Sequence, residues 1–396
     1  MTAAKRARVA VNGYGVIGKR VADAVAIQED MDLVGVADVT RDYRIRVAAE
    51  RGYPIYASSP DARPNMKDAD IPVVGTLDDL LERADIVVDC TPKGIGAKNK
   101  EHYEAAGVKA IFQGGETHEL AGFSFTAQVN YEKALDRRWA RVVSCNTTAL
   151  CRIMHALDRN GWVKRARAVL LRRATDPWES HDTGMINTAV PETKVPSHQG
   201  PDARTVLEGL DITTLAGAGP YNLSHLHFAM VETTRPVTLD ELRHALWREP
   251  RVAFVHASDG IVALNSTIEL MRDLGRPRND MWEVAVWEDA LAADDREVYL
   301  SFQVHNEAIA IPETVDCIRA LTGIERDGAK SIEKTNRSLG IRKSFLPKTI
   351  READTHTRMG EALARAPRPY AEAGFKGSEE PVEPGPTEAQ RRPTSR

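Results

Sequence analysis

Two hydrophobic rhythms alternate along the first third of the chain. Apolar runs at residues 8–11, 32–38, 85–91 and 109–113 are nearly continuous, as strands covered on both faces are. Between them the apolar positions move to helical spacing, as at Val21, Ala24 and Val25. This alternation predicts an α/β unit, a Rossmann-type domain with a parallel sheet. Another apolar run, Val142 and Val143, enters Ser144 and Cys145, and Leu150, Ile153, Met154 and Leu157 then follow at helical spacing. Longer β patterns at 167–173, 225–232, 283–287 and 298–304, interrupted by a helical one at 239–247, predict an α+β domain with a largely antiparallel sheet. The expected limits are 1–143 for the dinucleotide-binding domain and 144–307 for the catalytic domain. A helical segment at 308–341 is expected to return to the nucleotide domain, and 342–396 forms an extension.

Composition narrows the picture. The chain has 396 residues, 42% of them hydrophobic, with a formal charge of −4, which gives no general case for nucleic-acid or membrane binding. No apolar run approaches a membrane span, and the first residues carry no signal-type apolar stretch, so a cytoplasmic, reduced protein is expected. Cys90, Cys145, Cys151 and Cys317 form no metal-binding spacing, and no metal is expected. In the extension, residues 349–363 suit a charged helix. The proline-rich end, 377–396, suits disorder, so the extension reads as solvated chain; the alternative is a tether for a partner or neighbouring subunit, with Tyr370 and Phe375 as candidate anchors.

Gly13, Gly15 and Gly18 follow the first strand at Gly-x-Gly-x-x-Gly spacing. They permit a tight turn, a close approach of pyrophosphate and a close strand–helix packing. Asp38 ends the next strand about 20 residues on, where a carboxylate accepts from ribose hydroxyls and repels a 2′-phosphate, pointing to NAD. Asp38 could instead cap the turn after it, and Arg41 and Arg44 lie near enough in sequence to accept the phosphate of NADP. Thr91 and Gly115 sit in loops at the carboxyl ends of later strands, where ligands bind in open parallel sheets. Cys90, inside such a strand, reads as packing.

Cys145 carries the chemistry. A cysteine between a strand and a helix lies in the field of the helix N-terminus, which favours the nucleophilic thiolate. His225 and His227 are two apart in a strand and share a face, so one of them could reach that sulfur. Arg172 and Arg173 end a strand where guanidinium groups can clamp phosphate, and 196–202 is a polar loop. Each also has a plain reading, as a solvated edge or a satisfied strand histidine.

These residues resemble the archaeal-type (type II) phosphorylating glyceraldehyde-3-phosphate dehydrogenases. The resemblance rests on Val11 to Gly15, Ile17 to Ala24, Asp89 to Pro92, Gly94 to Asn99, Ala110 to Glu116, Arg141 to Thr148, Pro196 to His198, Arg278 to Asp280 and Lys334 to Asn336. It implies that Cys145 adds to the aldehyde and that His225 takes the proton and steadies the oxyanion. Hydride leaves for NAD, or NADP, and inorganic phosphate cleaves the thioester. By the same resemblance Ser144, Asn146, Arg172, Gln199 and Gly200 meet the substrate, while Val16, Ile17, Gly115, Arg173 and Asn306 meet the nucleotide. A homotetramer is implied too. The chain departs from the family pattern at Ala149 (usually glycine), Gln199 (usually histidine), Gly219 to Ser224 (usually ending in methionine) and Trp178 to Thr183. Those departures surround the substrate, so another phosphorylated or acidic aldehyde is the alternative, and a non-catalytic NAD-binding regulator the remaining one. At Asp38 the family members that accept NADP commonly have lysine, which supports NAD.

Overall fold

The computed structural model describes residues 6–113, 115–174 and 189–346. The suggested helix at 349–363, Tyr370, Phe375 and the Trp178 to Thr183 stretch lie outside the described residues.

The first sheet contains β1 (Ala7–Asn12), β2 (Met31–Asp38), β3 (Ile55–Ala57), β4 (Val73–Thr76), β5 (Ile86–Asp89), β6 (Lys109–Phe112), β7 (Ser124–Phe125) and β8 (Trp139–Val142). Its order is β4-β3-β2-β1-β5-β6-β8-β7, and every pairing is parallel. The continuous apolar runs follow from this. Val9, Val11, Ile86 and Val88 enter one core, whereas Ala10 and Val87 face the opposite one. Helices Val16–Ala26 and Ile311–Thr322 both cover the first face, the latter through Ile311, Val315 and Ile318. A helix late in the chain thus joins the core in which the first strand lies, while Phe345 packs with Ala253 and Val255 of the second sheet.

The second sheet is mixed and largely antiparallel. It contains β9 (Val163–Arg173), β10 (Val190–Pro191), β11 (Ile212–Gly219), β12 (His225–Thr233), β13 (Val252–Val255), β14 (Val284–Trp287), β15 (Ala292–Asp294) and β16 (Glu297–Val304). The order is β10-β11-β9-β12-β16-β14-β13, with β15 on β16; among these strands β11–β9 and β13–β14 run parallel and the other pairs antiparallel. Helix Cys145–Asp158 covers one face, packing Leu150, Ile153 and Leu157 with Ala168, Leu170, Ala229 and Phe302. Helix Leu264–Asp273 belongs to the opposite face, where Met271 joins Ala253, Val255 and Ala285. The short strands β3, β4, β7 and β10 left no readable run in the sequence. At 199–204 a helix, Gln199–Arg204, replaces part of the expected loop.

A buried ion network ties the two sheets together. Arg152, on the cysteine helix, donates to Glu313 Oε1 from Nε at 3.1 Å and Nη2 at 2.5 Å, and to the carbonyls of Trp282 and Ile309. Arg251 donates to the same Oε1 at 3.0 Å and pairs with Asp316, while Glu313 Oε2 accepts from the Ala127 amide. Burial alone would raise the Glu313 carboxyl; the two arginines outweigh it and hold it below its ordinary value. Removing Arg152 leaves the two buried carboxylates, Glu313 and Asp316, to Arg251 and strands two carbonyls, the costly way to break such a network. Arg152→Met should therefore lower unfolding free energy by about 3 kcal/mol in urea titration; a loss under about 1 kcal/mol would show that the network is dispensable.

Candidate active site

The glycine turn leaves β1 and enters helix Val16–Ala26 at an N-cap, Gly15, that brings no side chain to the first amides. Gly13 has φ +92°, and a Cβ there would stand 2.8 Å from the Cys90 carbonyl group. A Cβ on Gly18 would stand 1.7 Å from the Gly13 oxygen, whereas one on Gly15 would meet open space. The backbone is therefore closed toward the sheet and open toward the outside at Gly15, Val16 and Ile17, which fits a pyrophosphate on the helix N-terminus.

Around this turn the strand ends are tightly hydrogen-bonded. Asp38 is buried and accepts from the amides of Tyr14 (2.5 Å), Val39 (2.7 Å) and Thr40 (2.8 Å), so it does cap the turn after β2 and also fastens it to the glycine loop. Arg44 is engaged by Asp42, and Arg41 is exposed beside them. Thr91 gives both its amide (3.0 Å) and its hydroxyl (2.5 Å) to Asp89. Tyr103 and Asn99 complete that buried carboxylate's partners. Gly115, after β6, would place a Cβ in ordinary contact with Lys93.

At the end of β8 the chain passes through Val143 into helix Cys145–Asp158. Its N-cap, Ser144, accepts from the Thr147 amide at 3.4 Å. Thr147 donates its hydroxyl to Asp202 Oδ2 at 2.9 Å, and Arg141 donates to Asp202 Oδ1 at 2.5 Å. Asp202 thus joins the last strand of the first sheet, the first turn of the cysteine helix and helix Gln199–Arg204. Arg141 and Asp202 lay inside the quoted motifs, but only the fold reveals that they meet.

Cys145 Sγ lies 3.4 Å from His225 Nε2. The other ring nitrogen, Nδ1, accepts from the Arg173 amide at 3.0 Å. An amide can only donate, so Nδ1 carries no proton and the neutral ring bears its proton on Nε2, facing the sulfur. Burial first, then His227, Arg173 and Arg172, push the imidazole far below its ordinary value and keep it neutral. The expected role of taking a proton is not the one this tautomer offers: His225 meets the sulfur as a hydrogen-bond donor.

His227 shares that face, with its ring parallel to His225 at a centroid distance of 6.3 Å. It reaches Asn146 instead, Nε2 to Oδ1 at 2.9 Å, and holds that amide at the helix's first turn. Its Nδ1 is buried without a partner. Arg172 pairs with Glu192 at 3.1 Å, and His198 approaches the same carboxylate at 3.5 Å. Gln199 is fully buried, and among the described residues neither amide atom has a partner. Gly200 donates its amide to Thr214 at 3.0 Å, and a Cβ there would stand 2.9 Å from that hydroxyl. Asn306 accepts from the Ser224 amide at 3.1 Å.

A parallel dinucleotide-type sheet feeding a cysteine–histidine pair defines an oxidoreductase that acts on aldehydes. The family model for the C-terminal domain of glyceraldehyde 3-phosphate dehydrogenase matches residues 144–290, and one for the N-terminus of dihydrodipicolinate reductase matches 7–120. Over 337 residues the chain is 50% identical to glyceraldehyde-3-phosphate dehydrogenase of Methanosarcina mazei, covering 85% of this chain and 99% of that one. Over 334 residues it is 49% identical to that of Methanothermobacter thermautotrophicus, covering 84% and 99%. The chain belongs to the glyceraldehyde-3-phosphate dehydrogenase family.

Buried neutral histidines leave a signature in stability. Burial pushes His227 down to about 3, against an ordinary 6.5. Between those values the unfolded chain binds the extra proton, so stability that is complete above about 6.5 is lost as pH falls toward 3. His227→Gln should remove about one proton from that slope in urea titrations across the window. An unchanged slope would mean that His227 is not buried in its neutral form.

Proposed function

We propose that this chain oxidises D-glyceraldehyde 3-phosphate with inorganic phosphate to 1,3-bisphosphoglycerate in the cytoplasm, using Cys145 as nucleophile and His225 as the donor to the oxyanion. The observation that carries this reading is the 3.4 Å contact between Cys145 Sγ and His225 Nε2 at a helix N-terminus. The helix field favours the thiolate, and the proton on Nε2 gives it a hydrogen bond.

The thiolate adds to the aldehyde carbon, and the carbonyl oxygen takes the negative charge. His225 offers its Nε2–H to that oxygen. A donor aimed where charge develops lowers the barrier, and a ring locked by the Arg173 amide loses little on reaction. A bound nicotinamide dinucleotide supplies the acceptor for the hydride, held by Gly13, Gly15, Val16, Ile17, Gly18, Asp38, Thr91, Gly115, Arg173 and Asn306. Because the oxyanion is already deprotonated, collapse to the thioester releases no proton, and His225 need not act as base. A phosphate oxygen next attacks the thioester carbonyl; the carbon–sulfur bond breaks and Cys145 leaves as thiolate. Ser144, Asn146, Arg172, Gln199 and Gly200 line the substrate side in this reading. The unpartnered Gln199 amide and the Arg172–Glu192 pair support a second reading, in which the same chemistry serves another phosphorylated aldehyde.

Absorbance of NADH formed from glyceraldehyde 3-phosphate, with and without phosphate, tests the reading. Turnover should require phosphate and fall by about 10³-fold or more in Cys145→Ser. Undiminished turnover in that variant would end it.

NAD is the preferred cofactor in this proposal: Asp38 ends β2, where the resemblance puts the ribose contact, and Arg44 is already engaged by Asp42. Asp42→Asn releases Arg44 toward a 2′-phosphate, so KM for NADP should fall several-fold while that for NAD stays level. Equal changes for both cofactors would contradict the assignment.

A homo-oligomer, a tetramer by resemblance, completes the proposal. Leu215, Val169 and Phe228 stand in one cross-strand row on the face opposite the cysteine helix, and Leu215 and Phe228 are exposed there. Such an apolar row on a sheet suits a second copy of the chain.

A further inference from the structure

The residue before His225 is held in a conformation that serine seldom adopts. Ser224 has φ +64° and is fully buried. A left-handed backbone at a buried non-glycine position is costly and persists only where its surroundings impose it. Here two residues from one strand end impose it. Asn306 accepts the Ser224 amide at 3.1 Å, and Gln303 Nε2 donates to Ser224 Oγ at 2.8 Å.

Gln303 is itself fixed. Its Nε2 also donates to the Leu264 carbonyl at 3.0 Å, and its Oε1 accepts from Thr267 Oγ1 at 2.6 Å. The Leu264 carbonyl can only accept, so the amide cannot be turned the other way, and Ser224 Oγ is an acceptor. Gln303 and Thr267 are both fully buried. Helix Leu264–Asp273 is thereby connected through Gln303 to the peptide that opens β12 at His225.

We infer that Ser224 and Gln303 are positioning residues: the left-handed turn they lock sets the direction from which His225 faces the sulfur of Cys145. The inference rests on the proposed roles of Cys145 and His225. Strand β12 begins at His225, paired with Val304, and Leu226 is opposite Gln303. His225 is paired on the β16 side alone, whereas Leu226 is also paired with Leu171 of β9, so a rotation about the Ser224 backbone would act on His225 where the ladder holds it on one side. The Arg173 amide fixes the ring's tautomer, and the Ser224 turn fixes its approach. Methionine, the usual residue here in the family pattern, has no hydroxyl to accept from Gln303.

Ser224→Gly is the decisive variant. Glycine adopts φ +64° freely, so the fold is kept while the Oγ anchor is lost. Gln303→Met removes the same bond from the other side. Each variant, as full-length enzyme, is mixed with substrate and NAD, and the single-turnover burst of NADH is followed beside steady-state KM values. The burst rate should fall about ten- to hundredfold, the range for a small misplacement of a reacting group, with KM changed by less than about twofold. The double variant should be no slower than the slower single, because both cut one link. A wild-type burst in Ser224→Gly overturns the inference, as does a multiplicative double. If Gln303→Met fails to fold, Ser224→Gly alone decides. Cys145→Ser, run alongside, separates the two claims. Activity surviving there refutes the underlying roles, whereas a dead Cys145→Ser with an unaltered Ser224→Gly refutes only the positioning.

Discussion

The buried pairing of Arg152 with Glu313 is the interaction on which the rest of the structure depends. Arg152 belongs to the helix that begins at Cys145, and Glu313 to a helix whose apolar face lies in the core of the dinucleotide-type sheet. A charge pair with no access to water cannot slide or be replaced by solvent, so the sulfur and the first sheet are held in one fixed relation. Asp202 repeats the device nearer the sulfur, taking Arg141 from the last strands of that sheet and Thr147 from the cysteine helix. A reaction that passes hydride from a cysteine-bound carbon to a nucleotide on another sheet needs such fixed geometry.

Within that frame the histidine is specified twice. The Arg173 amide decides where its proton sits, and burial keeps it from gaining a second one. In the proposed mechanism a neutral donor facing a thiolate does not compete with it for a proton. In that mechanism the same ring steadies the oxyanion that replaces the thiolate. The parallel His227, two residues on, has the opposite fate: it is spent on Asn146 and serves the helix's first turn.

Much of this was legible in the sequence where a local pattern sufficed. Continuous apolar runs marked the doubly covered strands, glycine spacing marked the turn, and Cys145 was conspicuous between a strand and a helix. Period two put His225 and His227 on one face, yet it could not say which reached the sulfur, because that depends on how β12 lies under a helix 80 residues away. Asp38 had two readings, and the structure shows the one that local pattern could not favour: its carboxylate accepts three amides and caps the turn after β2. Arg172 looked like an open phosphate clamp; its partner Glu192 lies across a sheet edge that no local pattern announces. The Ser224 turn was equally hidden: a serine in a Gly-Pro-Tyr-Asn-Leu-Ser run carries no sign of a left-handed backbone imposed by Gln303 and Asn306.

The central claim, that the substrate carbon becomes bonded to Cys145, has a direct measurement. Mixing the protein with glyceraldehyde 3-phosphate and NAD without phosphate, quenching in acid and mapping peptides by mass spectrometry should find the acyl group on the Cys145 peptide. Adding phosphate before the quench should remove it. An acyl group on another residue, or NADH formed in a full burst with Cys145 unmodified, would contradict the claim.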